Sequence, residues 1–240
     1  MILMDNVAFA YDRTRPLFCG LNLEIGSGLT LVLGPNGSGK STLLKLAAGV
    51  EPPDHGTVRV DGFDLWRDEV AARRALAYVP DQPDLTPFAT IRDILILVAD
   101  LRGEPRRAVE DTLAAVGLDR LADRSVRELS LGQRRRATFA AAFLGRPSHL
   151  LLDEPLEAMD RGMREAILDW IGRRVGEGAS AVVVSHETAP FAALAARAVG
   201  LNRGAVLPAL ELPAETAARM ACLDRLARGF DPRISAESAS

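Results

Sequence analysis

Short, continuous runs of apolar residues recur along this chain and predict strands that are buried on both faces. The clearest runs cover residues 29–33, 150–152 and 181–184. Apolar residues at helical spacing follow the first run at 41–48 and separate the other two runs at 164–175. Because apolar strands that alternate with helices form parallel sheets, the pattern predicts an α/β fold around such a sheet.

Alternating apolar and polar positions predict further β-structure outside these runs. Residues 1–11 alternate and indicate an edge strand, and residues 57–60 alternate before a tight turn at Asp61-Gly62. Residues 199–201 and 205–207 flank a turn and predict a hairpin that closes the sheet. The N-terminal part is therefore expected to be a small β subdomain.

A helical insert is predicted in the middle of the chain. Residues 92–101, 105–116 and 132–144 have apolar positions at helical spacing, with no convincing strand between them. We therefore expect an α/β core at 1–83 and 149–212 and a helical subdomain at 84–148. Residues 213–240 are expected to form a C-terminal helix with a frayed, serine-containing end.

Composition is that of a globular protein. The 240 residues are 48% hydrophobic and 25% charged, with a net charge of −3, so no overall basic field would attract nucleic acid. The basic run Arg134-Arg135-Arg136 is expected to be a solvated helix face. No secretion signal is recognised, and the apolar stretch 94–99 is far shorter than the ~20 residues of a membrane span.

A glycine-rich segment between the first buried strand and its helix fits the phosphate-loop pattern G-x-x-x-x-G-K-[ST]. Its residues, with the threonine that follows, are Gly34, Pro35, Asn36, Gly37, Ser38, Gly39, Lys40, Ser41 and Thr42. Glycines let backbone N–H groups approach phosphate oxygens, and a helix N-terminus favours an anion. Lys40 would contact the β- and γ-phosphates and the Ser41 hydroxyl would ligate Mg²⁺, which predicts nucleotide binding.

An acidic pair follows the second buried strand. The apolar run ends at Asp153-Glu154, at the sheet edge where ligands gather in open α/β folds. Asp153 would hold Mg²⁺, directly or through water. Glu154 would act as general base on the attacking water.

A third motif narrows the choice of family. Residues 129–133 read L-S-L-G-Q and resemble the L-S-G-G-Q signature motif of ATP-binding cassette (ABC) ATPases, with Ser130, Gly132 and Gln133 at matching positions. Tyr11 resembles the aromatic residue that stacks on adenine, Asp160 the D-loop aspartate, and His186 the switch histidine that contacts the γ-phosphate. The chain is accordingly identified as resembling this family from Tyr11 to about Leu207.

The resemblance implies both a fold and a mechanism. The fold would be the α/β sheet of P-loop NTPases of the ABC ATPase type, with a small antiparallel β part and a helical subdomain. Two cassettes, identical or different, would sandwich ATP between the phosphate loop of one and the signature of the other. The transport partner would be a separate multi-span membrane permease, which would hold the chain on the cytoplasmic face of the membrane. No nucleic-acid partner is expected.

The chain departs from the family pattern at several positions. Leu131 replaces the first signature glycine, and Glu157 and Met159 stand where the D-loop usually carries Ser and Leu. The family places Gln directly after Tyr-x-Pro, whereas this chain has Asp81 and then Gln82. Position favours Asp81 as the Q-loop residue, with Gln82 as the alternative, and this local pattern favours an exporter over an importer.

Three other functions compete with a transporter ATPase. Soluble ABC ATPases of DNA repair or translation usually carry coiled-coil insertions, tandem cassettes or basic arms, which the sequence lacks. A regulatory cassette that binds ATP without turnover is disfavoured by the intact Lys40, Asp153, Glu154 and His186. An unrelated kinase or GTPase is disfavoured because there is no N-K-x-D guanine motif and because the signature motif has no role in those enzymes.

Overall fold

Two β-sheets and eight α-helices make up the computed structural model, which describes residues 1–83, 85–207 and 210–230. The strands in chain order are β1 Ile2–Phe9, β2 Phe18–Ile25, β3 Gly28–Leu33, β4 His55–Val60, β5 Phe63–Asp64, β6 Leu76–Val79, β7 His149–Asp153, β8 Ser180–Val184, β9 Ala195–Asn202, β10 Ala205–Val206 and β11 Leu210–Glu211. The helices are α1 Lys40–Ala47, α2 Glu69–Arg74, α3 Ile91–Arg102, α4 Arg107–Ala115, α5 Leu131–Phe143, α6 Arg161–Gly176, α7 Ala189–Ala192 and α8 Thr216–Ala227.

The main sheet is parallel at its centre, as the apolar runs predict. Its strand order is β10-β9-β3-β8-β7-β6, with β11 pairing to β9. Strands β9, β3, β8, β7 and β6 run parallel, while β10 and β11 pair with β9 in the antiparallel sense. The carboxyl ends of β3, β7 and β8 therefore meet at one edge of the sheet.

Both faces of the main sheet are covered. Leu29, Leu31 and Leu33 of β3 pack into one apolar core together with α3, α5 and α6. Val32 packs into a second core, which it shares with α1 and the small sheet. Because successive side chains of a strand point to opposite faces, one continuous apolar run serves both cores.

The N-terminal residues form a small antiparallel sheet in the order β2-β1-β4-β5. The predicted edge strand at residues 1–11 is wrong, because β1 pairs with β2 on one side and with β4 on the other. Strand β2 has no counterpart in the sequence prediction. The hairpin of β9 and β10 is confirmed, but β9 begins at Ala195 and pairs in parallel with β3 over most of its length.

The middle of the chain is helical. Between residues 85 and 148 the structure contains α3, α4, α5 and two short 3₁₀ turns, with no named strand among these described residues. Helix α8 confirms the predicted C-terminal helix, and the predicted frayed end at 231–240 lies outside the described residues. None of the helices in the described residues combines the length and apolar character needed to cross a bilayer.

Candidate functional site

The phosphate loop connects β3 to α1 in a conformation that requires glycine. Gly34 has φ 153°, and a Cβ there would lie 2.1 Å from the Leu201 carbonyl oxygen. Gly39 has φ 105° and directly precedes the first residue of α1. The sequence pattern at 34–41 therefore corresponds to the loop of a strand–loop–helix unit. At Gly34, no residue with a side chain could adopt the observed backbone conformation.

Lys40 is the first residue of α1 and lies over the loop. Its Nζ donates to the carbonyl oxygens of Gly34 at 2.8 Å and Pro35 at 3.1 Å. Burial lowers the pKa of the ammonium, and the nearby carboxylates of Glu154 and Asp153 oppose that shift. A buried cation at a helix N-terminus is suited to bind a polyphosphate.

Asp153 ends β7 and is almost completely buried, with 2% exposure. Burial raises the pKa of its carboxyl group to about 6, while a hydrogen bond with Ser41 acts in the opposite direction. Its Oδ1 atom is buried without a hydrogen-bond partner. A buried carboxylate oxygen without a partner is available to a cation, since most buried polar atoms in proteins are hydrogen-bonded.

Glu154 has an unusual backbone conformation next to Asp153. Its φ is 47°, in the left-handed region, and its N–H donates to the Val184 carbonyl oxygen at 2.9 Å. Its carboxylate accepts the His186 backbone N–H at 3.1 and 3.2 Å, and His186 Nε2 lies 3.4 Å from Oε1. Burial raises the pKa of Glu154, against the opposing effect of His186.

Tyr11 lies just after β1 with an exposed ring. The ring is 62% exposed and meets Phe9 edge-on, with centroids 4.8 Å apart. Its hydroxyl is 3.5 Å from Thr42 Oγ1, on the first turn of α1. An exposed aromatic face beside the phosphate loop can stack on a planar base.

The signature residues 129–133 form the start of α5. Ser130 is the N-cap: its Oγ accepts the Gln133 N–H at 3.2 Å, and Gln133 Oε1 accepts the Ser130 N–H at 2.9 Å. Leu131 is 51% exposed and lies in regular helix, so its position does not require glycine. The leucine is thus accommodated by pointing into solvent.

Asp160 begins α6 in a similar way. Its Oδ1 accepts the Met163 N–H at 3.0 Å, and its Oδ2 pairs with Arg136 of α5. The Met163 N–H, with Arg136, lowers the pKa of Asp160. The two segments that the family pattern assigns to the interface between cassettes are therefore joined to each other within one chain.

The prediction that Arg134, Arg135 and Arg136 form a solvated helix face is wrong for Arg135. Arg135 is 8% exposed, and its Nη2 pairs with Asp81 at 3.2 Å and with Glu157 at 3.0 Å. Successive helical residues are separated by about 100°, so three in a row cannot share one solvated face. This geometric fact is the signal in the sequence that could have identified a buried arginine.

Asp81 and Gln82 both line a cleft of about 930 Å³ between the main sheet and the helices. Ser41 and Asp153 line the same cleft. Asp81 contacts Arg135, whereas Gln82 is exposed. The structure thus brings Lys40, Ser41, Asp153, Glu154 and His186 to one edge of the sheet, with Asp81 close enough to raise the pKa of Asp153.

Comparison with known proteins gives consistent matches. A family model described as ABC transporter matches residues 19–157. A protein of Halobacterium salinarum named as an ABC transporter ATP-binding protein is 35% identical over 212 residues, covering 86% of this chain and 91% of that protein. The sulfate/thiosulfate import ATP-binding protein CysA of Mycobacterium bovis is 36% identical over 74% of this chain, which spans only 52% of that protein's length.

Solved structures resemble this chain over most of its length. A dimeric ATP-binding cassette in a post-hydrolysis state, bound to ADP and Pi, has a TM-score of 0.78 and 26% identity, covering 90% of this chain and 100% of that one. A bacterial Atm1-family ABC exporter with ATP bound has a TM-score of 0.76 and 25% identity, covering 93% of this chain and 40% of that one. The matches thus include an import protein and an exporter.

Proposed function

Since this chain belongs to the ABC transporter family as an ATP-binding, ATP-hydrolysing subunit, we propose which of its residues perform each step. The observation that carries the proposal is the placement of the Glu154 carboxylate, held by the His186 N–H at the sheet edge beside Asp153 and Lys40. A raised carboxyl pKa and a fixed orientation are the properties of a general base.

Lys40 and the backbone of residues 34–41 bind the phosphates of ATP, and Thr42 lies next to them. In support, Lys40 is buried at a helix N-terminus and faces the loop carbonyls. Tyr11 stacks on the adenine, in keeping with its exposed ring next to Thr42.

Ser41 and Asp153 hold Mg²⁺. The residues fit this ion because Asp153 Oδ1 is a buried carboxylate oxygen without a protein partner. The described residues contain no cluster of three or more His, Cys, Asp or Glu suited to a metal. The nucleotide phosphates would therefore supply further ligands of the ion. When bound, Mg²⁺ would neutralise charge on the β- and γ-phosphates.

Glu154 accepts a proton from the attacking water, and His186 contacts the γ-phosphate. The His186 backbone N–H fixes the Glu154 carboxylate, while the imidazole next to Oε1 is 62% exposed and accessible to a ligand. Asp81 is the Q-loop residue, in agreement with its position on the cleft that Asp153 also lines.

A second copy of this chain completes the site. One chain carries both a phosphate loop and a signature segment, so two copies arranged head to tail would form two equivalent sites. Ser130, Gly132 and Gln133 of one copy, with Asp160 nearby, would contact the nucleotide of the other. The N-terminus of α5 supports this, because Ser130 and Leu131 are exposed there and a helix N-terminus favours an anion.

The dimer powers a separate multi-span permease on the cytoplasmic side of the membrane. Residues 1–83 and 149–212 form the ATP-binding core, 84–148 the helical subdomain that contacts the permease, and 213–240 a C-terminal appendage. Export is the direction that the Asp81-Gln82 pattern favours.

Replacement of Glu154 by Gln tests the catalytic assignment. We expect the Glu154→Gln variant to bind Mg·ATP with unchanged affinity and to lose turnover about a hundredfold or more, since general-base catalysis contributes 10²–10⁴. Glu165→Gln, which removes an exposed carboxylate from the Arg161 ion pair on α6, is the matched control. Wild-type turnover by Glu154→Gln would refute the assignment.

A further inference from the structure

Arg135 connects three segments around the candidate site. It lies on α5 with 8% exposure, and its guanidinium reaches acceptors on two loops. Nη1 donates to the Glu154 carbonyl oxygen at 3.3 Å, while Nη2 donates to Asp81 at 3.2 Å and to Glu157 at 3.0 Å. One side chain of the helical segment thus holds both the Asp81 loop and the turn that begins at Glu154.

The Glu154 backbone is in a conformation that needs such support. Its φ of 47° is rare for a residue with a side chain. Its N–H is bound by the Val184 carbonyl of β8, and its C=O is bound by Arg135 of α5. The Glu154 peptide is therefore held by two contacts, one from the sheet and one from the helical segment, while the His186 N–H holds its carboxylate.

Charge gives a second reason for an arginine here. Asp81, Glu157, Asp153 and Glu154 place several carboxyl groups near one another, and Asp81 stands where the family pattern has a neutral glutamine. The Arg135 guanidinium is the cation between Asp81 and Glu157. The planar guanidinium carries its N–H groups on separate nitrogens, so Nη1 and Nη2 reach acceptors that lie apart, whereas a lysine ammonium has its three donors on one atom.

We propose that Arg135 is a positioning residue for ATP hydrolysis: it fixes the Glu154 peptide to the Asp81 loop, so that the base is correctly oriented only when α5 is in place. The proposal rests on the assignment of Glu154 as the base. It concerns the turnover step and leaves ATP binding to Lys40 and the phosphate loop.

Arg135→Gln in the full chain tests this role. We expect kcat to fall by about tenfold to a hundredfold, since small misplacements of catalytic groups cost this much, while the Kd for Mg·ATP stays within about twofold. The melting temperature should change little, because Asp81 and Glu157 are 42% and 60% exposed and can be hydrated without Arg135. Arg146→Gln, which removes an exposed arginine that pairs with Glu177, is the control and should keep wild-type kcat.

Two further variants separate positioning from general stability. Arg135→Lys keeps the charge but not the fork, so we expect its kcat to stay closer to that of Arg135→Gln than to the wild type. Glu157→Gln should lower kcat modestly in the wild-type background and not at all in the Arg135→Gln background, because its carboxylate then has no arginine to orient.

The proposal is overturned if Arg135→Gln retains wild-type kcat, or if kcat, ATP affinity and melting temperature all fall together. Full additivity between Glu157→Gln and Arg135→Gln would also overturn it. The Glu154 assignment fails by a different result, wild-type turnover of Glu154→Gln, so the two hypotheses can be rejected separately.

Discussion

At the scale of single residues, the site depends on side chains that are buried although they carry charge. Lys40, Arg135 and Asp153 are each less than a tenth exposed. Lys40 and Asp153 could be predicted because their chemistry is tied to a fixed spacing after an apolar strand. For Arg135, helical spacing indicates only that one residue of the arginine run is buried; its partners Asp81 and Glu157 become neighbours only after the chain has folded. The left-handed conformation of Glu154 likewise leaves no mark on the sequence.

The buried carboxyl group of Asp153 predicts a dependence of stability on pH. Its pKa is about 6 in the folded protein and 3.8 when unperturbed. The folded state therefore binds the proton more tightly, and stability falls as the pH rises through 6. At pH 8 the penalty is at most about 3 kcal/mol, at 1.36 kcal/mol per pKa unit.

Asp153→Asn should remove this penalty. With EDTA and no nucleotide, we expect the variant to melt several degrees above the wild type at pH 8, with the difference shrinking toward pH 5. The same variant should lose Mg²⁺-dependent turnover. Thermal denaturation across this pH range is the measurement, and equal melting temperatures at pH 8 would mean that the carboxylate is not destabilising.

At the scale of elements, the strands buried on both faces were predictable and the half-exposed ones less so. β3, β7 and β8 are continuous apolar runs, and their burial is complete or nearly complete along each strand. In β2, Leu21, Leu23 and Ile25 alternate with the exposed Asn22 and Glu24, but Gly20 puts Phe18 out of step, so the clear alternation covers only five residues. β6 has four residues and pairs with β7 along its whole length, so this strand depends on tertiary contacts more than on a local sequence pattern.

The start of α5 allows the structural and functional roles of Ser130 to be separated. Ser130→Ala removes the N-cap and should cost about 1 kcal/mol of stability. Asn and Asp are equally good N-caps, so Ser130→Asn and Ser130→Asp should both retain the melting temperature. Only Ser130→Asp adds a negative charge where we place the phosphates of the opposing nucleotide.

We therefore expect Ser130→Asp to abolish ATP-dependent dimerisation and Ser130→Asn to weaken it less. Analytical ultracentrifugation with Mg·ATP, together with thermal melting, measures both properties. If Ser130→Asp dimerises as well as the wild type, the signature segment does not face a phosphate.

At the scale of the whole molecule, the proposed function requires a second copy of this chain and a membrane permease. The helical segment from α3 to α5 places Leu97 and Leu101 on its surface, 59% and 72% exposed. Gentle detergent extraction from native membranes should co-purify this chain with a multi-span protein. Recovery with ribosomes or DNA instead would contradict the transporter assignment and favour a soluble ABC ATPase.

The central claim is that ATP is held between the phosphate loop of one copy and the signature segment of another. Light scattering on Glu154→Gln tests it most directly, because a variant that binds without turnover should accumulate the closed dimer. We predict a mass of two chains with Mg·ATP, of one chain without nucleotide, and of one chain when Ser130→Asp is added. A mass of one chain at saturating Mg·ATP would contradict the account.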